Sequence, residues 1–222
     1  MTTRTTTRAD WLVPTSLILL TSVPAAAGAM RLTELARGAE VTPANERFFA
    51  MPLPIVLHIV SVTVFCLVGA FQFAPGIRRR HRTWHRIAGR VLAPTGLVAA
   101  LTGLWMSVAY PQPPGDGPLV TAFRLVFGSA MAASLVLGVV AIRQRDFHRH
   151  RAWMIRGYAI GMGAGTQFFT QAVWLLAVGP ITVPGRNITM AAGWLINVVA
   201  AELIIHRPAR RPARRPVTAA AV

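Results

Sequence analysis

Six long apolar stretches constrain the fold of this sequence more than any other feature. Of the 222 residues, 54% are hydrophobic and only 14% are charged, a composition too apolar for an ordinary soluble domain. A helix needs about 20 mostly apolar residues to cross a hydrocarbon core roughly 30 Å thick. The stretches that meet this requirement lie at about 11–30, 52–74, 87–110, 119–142, 157–179 and 188–205.

The bilayer interior decides what these stretches form. Because lipid offers no hydrogen-bond partners to backbone amides, each stretch is predicted to be an α-helix. Most connections are short, which makes successive helices antiparallel neighbours. The sequence therefore predicts an all-α, polytopic bundle of six transmembrane helices over residues 11–205. A cytoplasmic segment at 1–10 and a disordered Arg/Pro tail at 206–222 flank it.

The arginines predict the orientation of the bundle. All 23 basic residues are arginine, and the formal net charge is +16. They concentrate before the first stretch, in the second and fourth connections, and after the last stretch. The other connections hold only Arg31, Arg37, Arg47 and Arg186. The positive-inside rule then places both termini in the cytoplasm, in a multi-pass protein of the cell membrane. Arginines concentrated at one membrane surface bind anionic lipid headgroups. The bilayer is therefore the predicted partner, and nucleic acid is not.

The first stretch has a second interpretation. Arg4 and Arg8 form a basic start, and the small residues VPAAAGA after the apolar run resemble a signal-peptidase site. Cleavage there would leave five helices and an external N-terminus. We favour a retained helix, because polytopic proteins rarely need a cleavable signal.

Two clusters of arginine, histidine and tryptophan are the first candidates for chemistry. They read HRTWHRIAGR at 81–90 and HRHRAWMIRG at 148–157, both at the predicted cytoplasmic end. A b-type haem needs two imidazoles on facing helices and tolerates arginines near its propionates. A haem or quinone site is therefore predicted, with His85 and His148 (or His150) as ligands and Arg86, Arg90 and Arg156 as anion contacts. The alternative is that the clusters only anchor helix ends among headgroups.

No metal site is predicted. His81 and His85 are four residues apart, a spacing that suits zinc on a helix. However, the segment offers no cysteine or carboxylate, and the surrounding arginines oppose a dication. Cys66 is the only cysteine and lies within the second stretch, where it is expected to be a small core residue.

Polar residues within the stretches are the second candidates. A charged group near the bilayer centre costs about 3 kcal/mol. His58 and Arg124 lie at similar depths in the outer halves of the second and fourth stretches, with Gln167 and Gln171 on the fifth. Together they predict a cavity that opens to the outside, as in a small-molecule or proton-coupled transporter. The alternative is hydrogen bonding between helices, with Arg124 extending to the interface.

Two further patterns concern packing. Gly157, Gly161 and Gly165 are spaced by four and are predicted to let one helix face approach a neighbour closely. Glu202 lies near the inner end of the last stretch, and an arginine from one of the two clusters is its expected partner.

The chain also resembles a known family. The runs GAFQFAPGIRRRHRTWHRIAGR and FHRHRAWMIRGYA, with an earlier helix histidine, are similar to bacterial membrane proteins grouped as domain of unknown function 2306. The resemblance covers roughly residues 52–180. The shared positions are His58, Gln72, Phe73, His85, Arg86, Gly89, Arg90, His148, Trp153, Met154 and Arg156. The family pattern has an arginine after the threonine in helix five, where this chain has Gln167. The resemblance implies an integral membrane protein and no particular activity.

Three classes of function remain open from the sequence. They are electron transfer through a haem or quinone, transport through the outer cavity, and a structural or lipid-binding role. No reaction follows from the sequence, and we do not expect an enzyme.

Overall fold

The computed structural model describes residues 8–113 and 115–207, and all regular structure in those residues is helical. The helices are α1 (Arg8–Arg37), α2 (Glu46–Ala50), α3 (Pro52–Ala70), α4 (Pro75–Arg80), α5 (Arg82–Ala109), α6 (Pro118–Arg143), α7 (Phe147–Gly161), α8 (Gly163–Ala177) and α9 (Val183–His206), with a 3₁₀ turn at Phe71–Phe73.

Five of these helices are long and apolar enough to cross a membrane. They are α1, α3 with its 3₁₀ turn, α5, α6 and α9. The prediction of an all-α, multi-pass membrane protein is confirmed. Most helices extend beyond the predicted stretches; α1, for example, continues to Arg37. The last helix, α9, ends at His206, and the rest of the predicted Arg/Pro tail, like the predicted cytoplasmic N-terminus, lies almost wholly outside the described residues. Residues 1–7 and 208–222 lie outside the described part.

The stretch at 157–179 is not one continuous helix, and here the prediction was wrong. It is divided between α7 and α8, which are separated by Met162. Gly161, Gly163 and Gly165 surround this residue, and glycine weakens a helix because it gains the most backbone freedom on unfolding. The amide of Gly165 donates to the carbonyl of Met162, three residues back, at 3.1 Å. The thiol of Cys66 donates to the carbonyl of Gly161 at 3.7 Å.

The two halves nevertheless follow one another along α9. Near the end of α9, Glu202 pairs with Arg156 of α7. Nearer its start, the carbonyl of Met190 accepts a hydrogen bond from Gln167 of α8 at 3.1 Å. Each half has 15 residues, or about 22 Å of helix. The pair therefore has the length of a crossing that neither half has alone.

The long helices alternate in direction. We call the end where α3, α6 and α9 begin the mouth end, because a cavity between the helices opens there. The opposite end, where α5 and α7 begin, is called the arginine-rich end. At the mouth end, the hydroxyl of Tyr110 donates to the carbonyl of Met51 at 2.6 Å, which joins the end of α5 to the start of α3.

The core lies between α3, α5, α6 and α7. Its buried members include Phe65, Leu92, Met131, Leu135 and Tyr158. The Tyr158 hydroxyl also donates to the carbonyl of Cys66 at 2.6 Å, so α7 is tied to α3 by both packing and a buried hydrogen bond.

The glycines spaced by four pack closely, as predicted, but against several neighbours rather than one. A Cβ on Gly157 would meet Leu135 of α6 at 3.1 Å, and one on Gly161 would meet Phe65 of α3 at 2.9 Å. A Cβ on Gly165 would lie 2.3 Å from the carbonyl oxygen of Leu20 in α1. The break at Met162 lies between Gly161 and Gly165, so the three glycines do not lie on one continuous helix.

Candidate ligand cavity

A cavity of about 470 Å³ lies inside the bundle. Its walls come from α1, α3, α5, α6, the end of α7, α8 and α9, with α2 and the loop at residues 111–113 at the mouth end. The deepest wall residues on α3 include Cys66, about four helical turns from the start of that helix. The cavity therefore extends from the mouth end to the region of the break between α7 and α8, where Met162 also lines it.

Four arginines surround the mouth of this cavity. Arg47 and Arg124 line it directly. The guanidinium carbons of Arg31 and Arg47 lie 4.7 and 4.4 Å from the ring centroid of Phe48. Arg186 reaches the same region from α9, where it pairs with Asp116. Three of the four arginines found in the predicted outer connections thus meet at one place.

Asp116 neutralises part of this charge. Its side chain is fully buried, and one carboxylate oxygen accepts a hydrogen bond from Arg124 Nη2 at 2.5 Å. Its other oxygen accepts from Arg186 Nε. Glu34 pairs with Arg31. Among the described residues, these two carboxylates pair with Arg31, Arg124 and Arg186 and leave Arg47 without a paired carboxylate.

Arg47 is the least compensated of these arginines. In residues 8–113 and 115–207, no carboxylate forms an ion pair with it. Burial lowers the pKa of Arg47, and the neighbouring charges of Arg31 and Arg124 lower it further. A group whose charged form is disfavoured in this way gains from the approach of an anion.

His58 lies deeper in the cavity wall. Its Nδ1 is 2.9 Å from the carbonyl oxygen of Ala99 and 3.2 Å from Oγ1 of Thr102. The imidazole edge packs on α5, where a Cβ on Gly103 would lie 3.2 Å from its Cε1. Gly103 therefore leaves the space that lets this edge of the histidine ring approach the helix.

The two glutamines occupy different positions. Gln167 is buried, lines the cavity and is held by the carbonyl of Met190. Gln171 is not part of the lining; its Oε1 accepts from Arg186 Nη1 at 3.0 Å. The structure thus brings together three of the four predicted cavity residues, His58, Arg124 and Gln167, and places Gln171 behind them.

Arg47 and Asp116 were missed in the sequence. Both lie outside the apolar stretches, where the cost of burying a charge gives no reason to single them out. One indication was present for Arg47, since arginines are scarce in the predicted outer connections.

At the arginine-rich end, the predicted ligands are in unlike environments. His85 is half-buried, and its Nδ1 is buried with no hydrogen-bond partner in the described part of the chain. Its electrostatic neighbours are Arg78 and His150. His148, in contrast, is exposed in the first turn of α7. His150 Nδ1 donates a hydrogen bond to the carbonyl oxygen of Gly138 at 2.9 Å.

The predicted anion contacts also differ from one another. Arg86 and Arg90 are exposed. Arg156 forms a two-pronged pair with Glu202, with Nε and Nη2 donating at 2.6 and 2.8 Å. This ion pair is the one expected for Glu202. Because its guanidinium also stacks 4.8 Å from the ring centroid of Trp153, Arg156 already has partners within the bundle.

The family comparison agrees with this architecture. The model of the family described as "Predicted membrane protein (DUF2306)" matches residues 55–205, more than half of the chain. The chain belongs to this family. The DUF2306 match extends to the end of α9, further than the resemblance found in the sequence, and leaves α1 outside it. Comparison with curated proteins and with solved structures gives no significant match.

Packing accounts for several of the positions that carry the family resemblance. Phe73 lies against Tyr158, with ring centroids 4.7 Å apart. Met154 reaches Gly138 of α6 so closely that a Cβ there would lie 2.1 Å from its methyl carbon. Gln72 and His85 are not explained in this way, because each has a buried side-chain nitrogen without a partner among the described residues.

Proposed function

We propose that this DUF2306 protein is a small-molecule transporter whose cavity binds an amphipathic anion. The observation that carries the proposal is the convergence of Arg47, Arg124, His58 and Gln167 on one cavity. Cavities of roughly 300–1,000 Å³ are typical of small-molecule sites, and 470 Å³ lies within that range.

The proposed orientation gives the cavity a direction. If α7 and α8 together form the sixth crossing, the arginine-rich end faces the cytoplasm and the mouth end faces outside. The exposed Arg86 and Arg90 then lie among anionic headgroups. The break between α7 and α8 at the cavity resembles the discontinuous helices with which transporters form sites near the bilayer midplane.

The chemistry of the wall selects the ligand class. The mouth carries excess positive charge at Arg47, whereas the deeper wall includes the apolar side chains of Val62, Met131 and Trp194. A ligand with a carboxylate or phosphate at one end and an apolar body at the other satisfies both regions.

The test is binding of 2-naphthoate to the full chain in phosphatidylcholine nanodiscs, followed by calorimetry. We expect the uncharged isostere 2-naphthamide to bind at least tenfold more weakly than 2-naphthoate. Arg47→Gln should raise the Kd for 2-naphthoate about tenfold or more, because one charge-assisted contact contributes roughly 1.5–3 kcal/mol. Arg37→Gln is the matched control: it removes the same charge from an exposed residue at the mouth end that does not line the cavity.

Two outcomes would overturn the proposal. One is the absence of naphthoate binding; the other is an equal effect of Arg37→Gln and Arg47→Gln. The same titration in nanodiscs that contain phosphatidylglycerol distinguishes two sources of the anionic ligand, a lipid headgroup and a free acid. If that lipid displaces naphthoate, the natural ligand is a lipid headgroup rather than a free acid.

A redox cofactor at the arginine-rich end is the second candidate. The buried, unpartnered Nδ1 of His85 favours it, since such an atom is costly unless a ligand or metal satisfies it. His150, the half-buried neighbour, is a better second ligand than the exposed His148. Purified protein should then show a Soret band that is lost in His85→Ala and in His150→Ala but retained in His148→Ala. A haem-free, colourless preparation after haem supplementation would eliminate this candidate.

A further inference from the structure

The contacts of His58 decide which of its nitrogens carries hydrogen. A carbonyl oxygen only accepts hydrogen bonds, so the 2.9 Å contact with Ala99 requires a hydrogen on Nδ1. The hydroxyl of Thr102 donates to the carbonyl of Val98 at 2.7 Å and therefore also acts as an acceptor toward Nδ1. The neutral imidazole consequently has its lone pair on Nε2.

That lone pair is available to a ligand. In the described part of the chain, Nδ1 forms all of the hydrogen bonds of the His58 ring, and none is formed by Nε2. The residue lines the cavity. Among the described residues of the cavity wall, Nε2 of His58 is therefore a basic nitrogen that forms no hydrogen bond within the protein.

Four other ionisable residues line the cavity with His58, and none of them supplies a negative charge near pH 7. Arg47 and Arg124 line the same cavity and are cations, and Arg124 is paired with Asp116. Tyr110 and Cys66 are the remaining titratable wall residues, and both are neutral near pH 7. Tyr158 of α7 packs near α3 but uses its hydroxyl on the carbonyl of Cys66.

We infer that His58 takes up one proton when the cavity binds an anion, so that one anion and one proton bind together. This inference rests on the proposed function. In the empty cavity the imidazole is neutral, because an ion in a partly apolar wall loses hydration and has no counter-charge there. A bound carboxylate supplies the missing counter-charge, so Nε2 takes up a proton from the buffered solution, and the resulting Nε2–H donates a charge-assisted hydrogen bond to the carboxylate. The site then binds weak acids as the sum of anion and proton.

Calorimetry of 2-naphthoate in nanodiscs tests this at pH 7.5 in two buffers with different ionisation enthalpies. Wild-type protein should take up close to one proton per naphthoate bound, and its Kd should rise by up to tenfold per pH unit above neutrality. Since the naphthoate carboxylate stays ionised throughout this range, the slope reports the protein. His58→Asn keeps an N–H for the Ala99 carbonyl but cannot titrate. It should bind naphthoate with no proton uptake and with a Kd that varies less than twofold with pH.

The control is His81→Asn, which removes an exposed histidine that does not line the cavity and should keep the wild-type proton count. Binding to wild-type protein without proton uptake overturns the inference and leaves the proposed function intact. An unchanged pH slope in His58→Asn does the same. No naphthoate binding at all overturns both. If His58→Asn does not fold, the wild-type proton count alone decides.

Discussion

Substitution of Gly165 by alanine tests how α1 is attached to the bundle. The added Cβ would lie 2.3 Å from the carbonyl oxygen of Leu20 and 2.9 Å from its Cγ. Real Cβ atoms essentially never make contacts under 3.0 Å, and the distance from this Cβ to the oxygen would be about 0.7 Å shorter than that limit. The obstructing oxygen belongs to the backbone of α1, and no change of rotamer relieves the contact.

The magnitude follows from two opposing effects. Overpacking of this kind costs about 1–3 kcal/mol, whereas replacing a helical glycine by alanine contributes up to about 1 kcal/mol of helix propensity. The expected net loss is about 1–2 kcal/mol in the free energy of unfolding. For a chain of this size, the midpoint of thermal unfolding should fall by roughly 2–8 °C.

The chain provides its own reporter for this measurement. Cys66 is the only cysteine and is buried, so a thiol-reactive maleimide dye reports unfolding of the purified protein in detergent. Gly89→Ala is the matched control, because it is also a helical glycine and nothing lies within 4 Å of its added Cβ. Its midpoint should stay the same or rise.

Equal midpoints for Gly165→Ala and Gly89→Ala would refute the packing of α1 against α8. The same result is expected if the chain is cleaved after VPAAAGA, since cleavage removes Leu20. The intact mass of the purified protein separates the two explanations. A retained N-terminus with equal midpoints counts against the structure, and a shortened chain restores the signal-peptide interpretation.

Three other predictions use the same unfolding assay. Asp116→Asn should lower stability by about 3 kcal/mol because its buried carboxylate compensates two arginines; a loss under 1 kcal/mol would mean that the arginines find other partners. Arg156→Gln should cost only about 1 kcal/mol, since Arg156 and Glu202 are partly exposed, and adding Glu202→Gln should cause little further loss if the two act as a pair. Tyr158→Phe should cost about 1 kcal/mol through loss of the hydroxyl bond to Cys66; no change in midpoint would contradict that contact.

The family and the membrane architecture were predictable because both depend on local patterns. Hydropathy over about 20 residues identifies a span without reference to any other part of the chain. The runs around His85 and Trp153 likewise identified the family, since a motif is read directly from consecutive residues. The partner of Glu202 was also predictable in kind, because a carboxylate near lipid needs a cation and the nearest cations were in the clusters.

The candidate site was only partly predictable. His58 and Arg124 were singled out by the cost of their position, and the structure brings them to one cavity with Gln167. Arg47 and Asp116 lie in connecting segments, where a charge costs little and gives no indication of its destination. The pairing of histidines at the arginine-rich end shows the same limit: His148 and His150 are two residues apart, and only the rotation of α7 exposes one and buries the other in part.

The sequence by itself determined that this chain is a helical membrane protein of its family, because the bilayer imposes length, apolarity and backbone hydrogen bonding on each segment separately. It did not determine the break at Met162, the three different neighbours of the spaced glycines, or the convergence of arginines at the mouth. Those depend on how helices rotate and pack against one another. The close approach of Gly165 to Leu20, where an added Cβ would lie 2.3 Å from the carbonyl oxygen, depends on how two helices pack. For the same reason, only the tertiary structure decided which polar groups face the cavity.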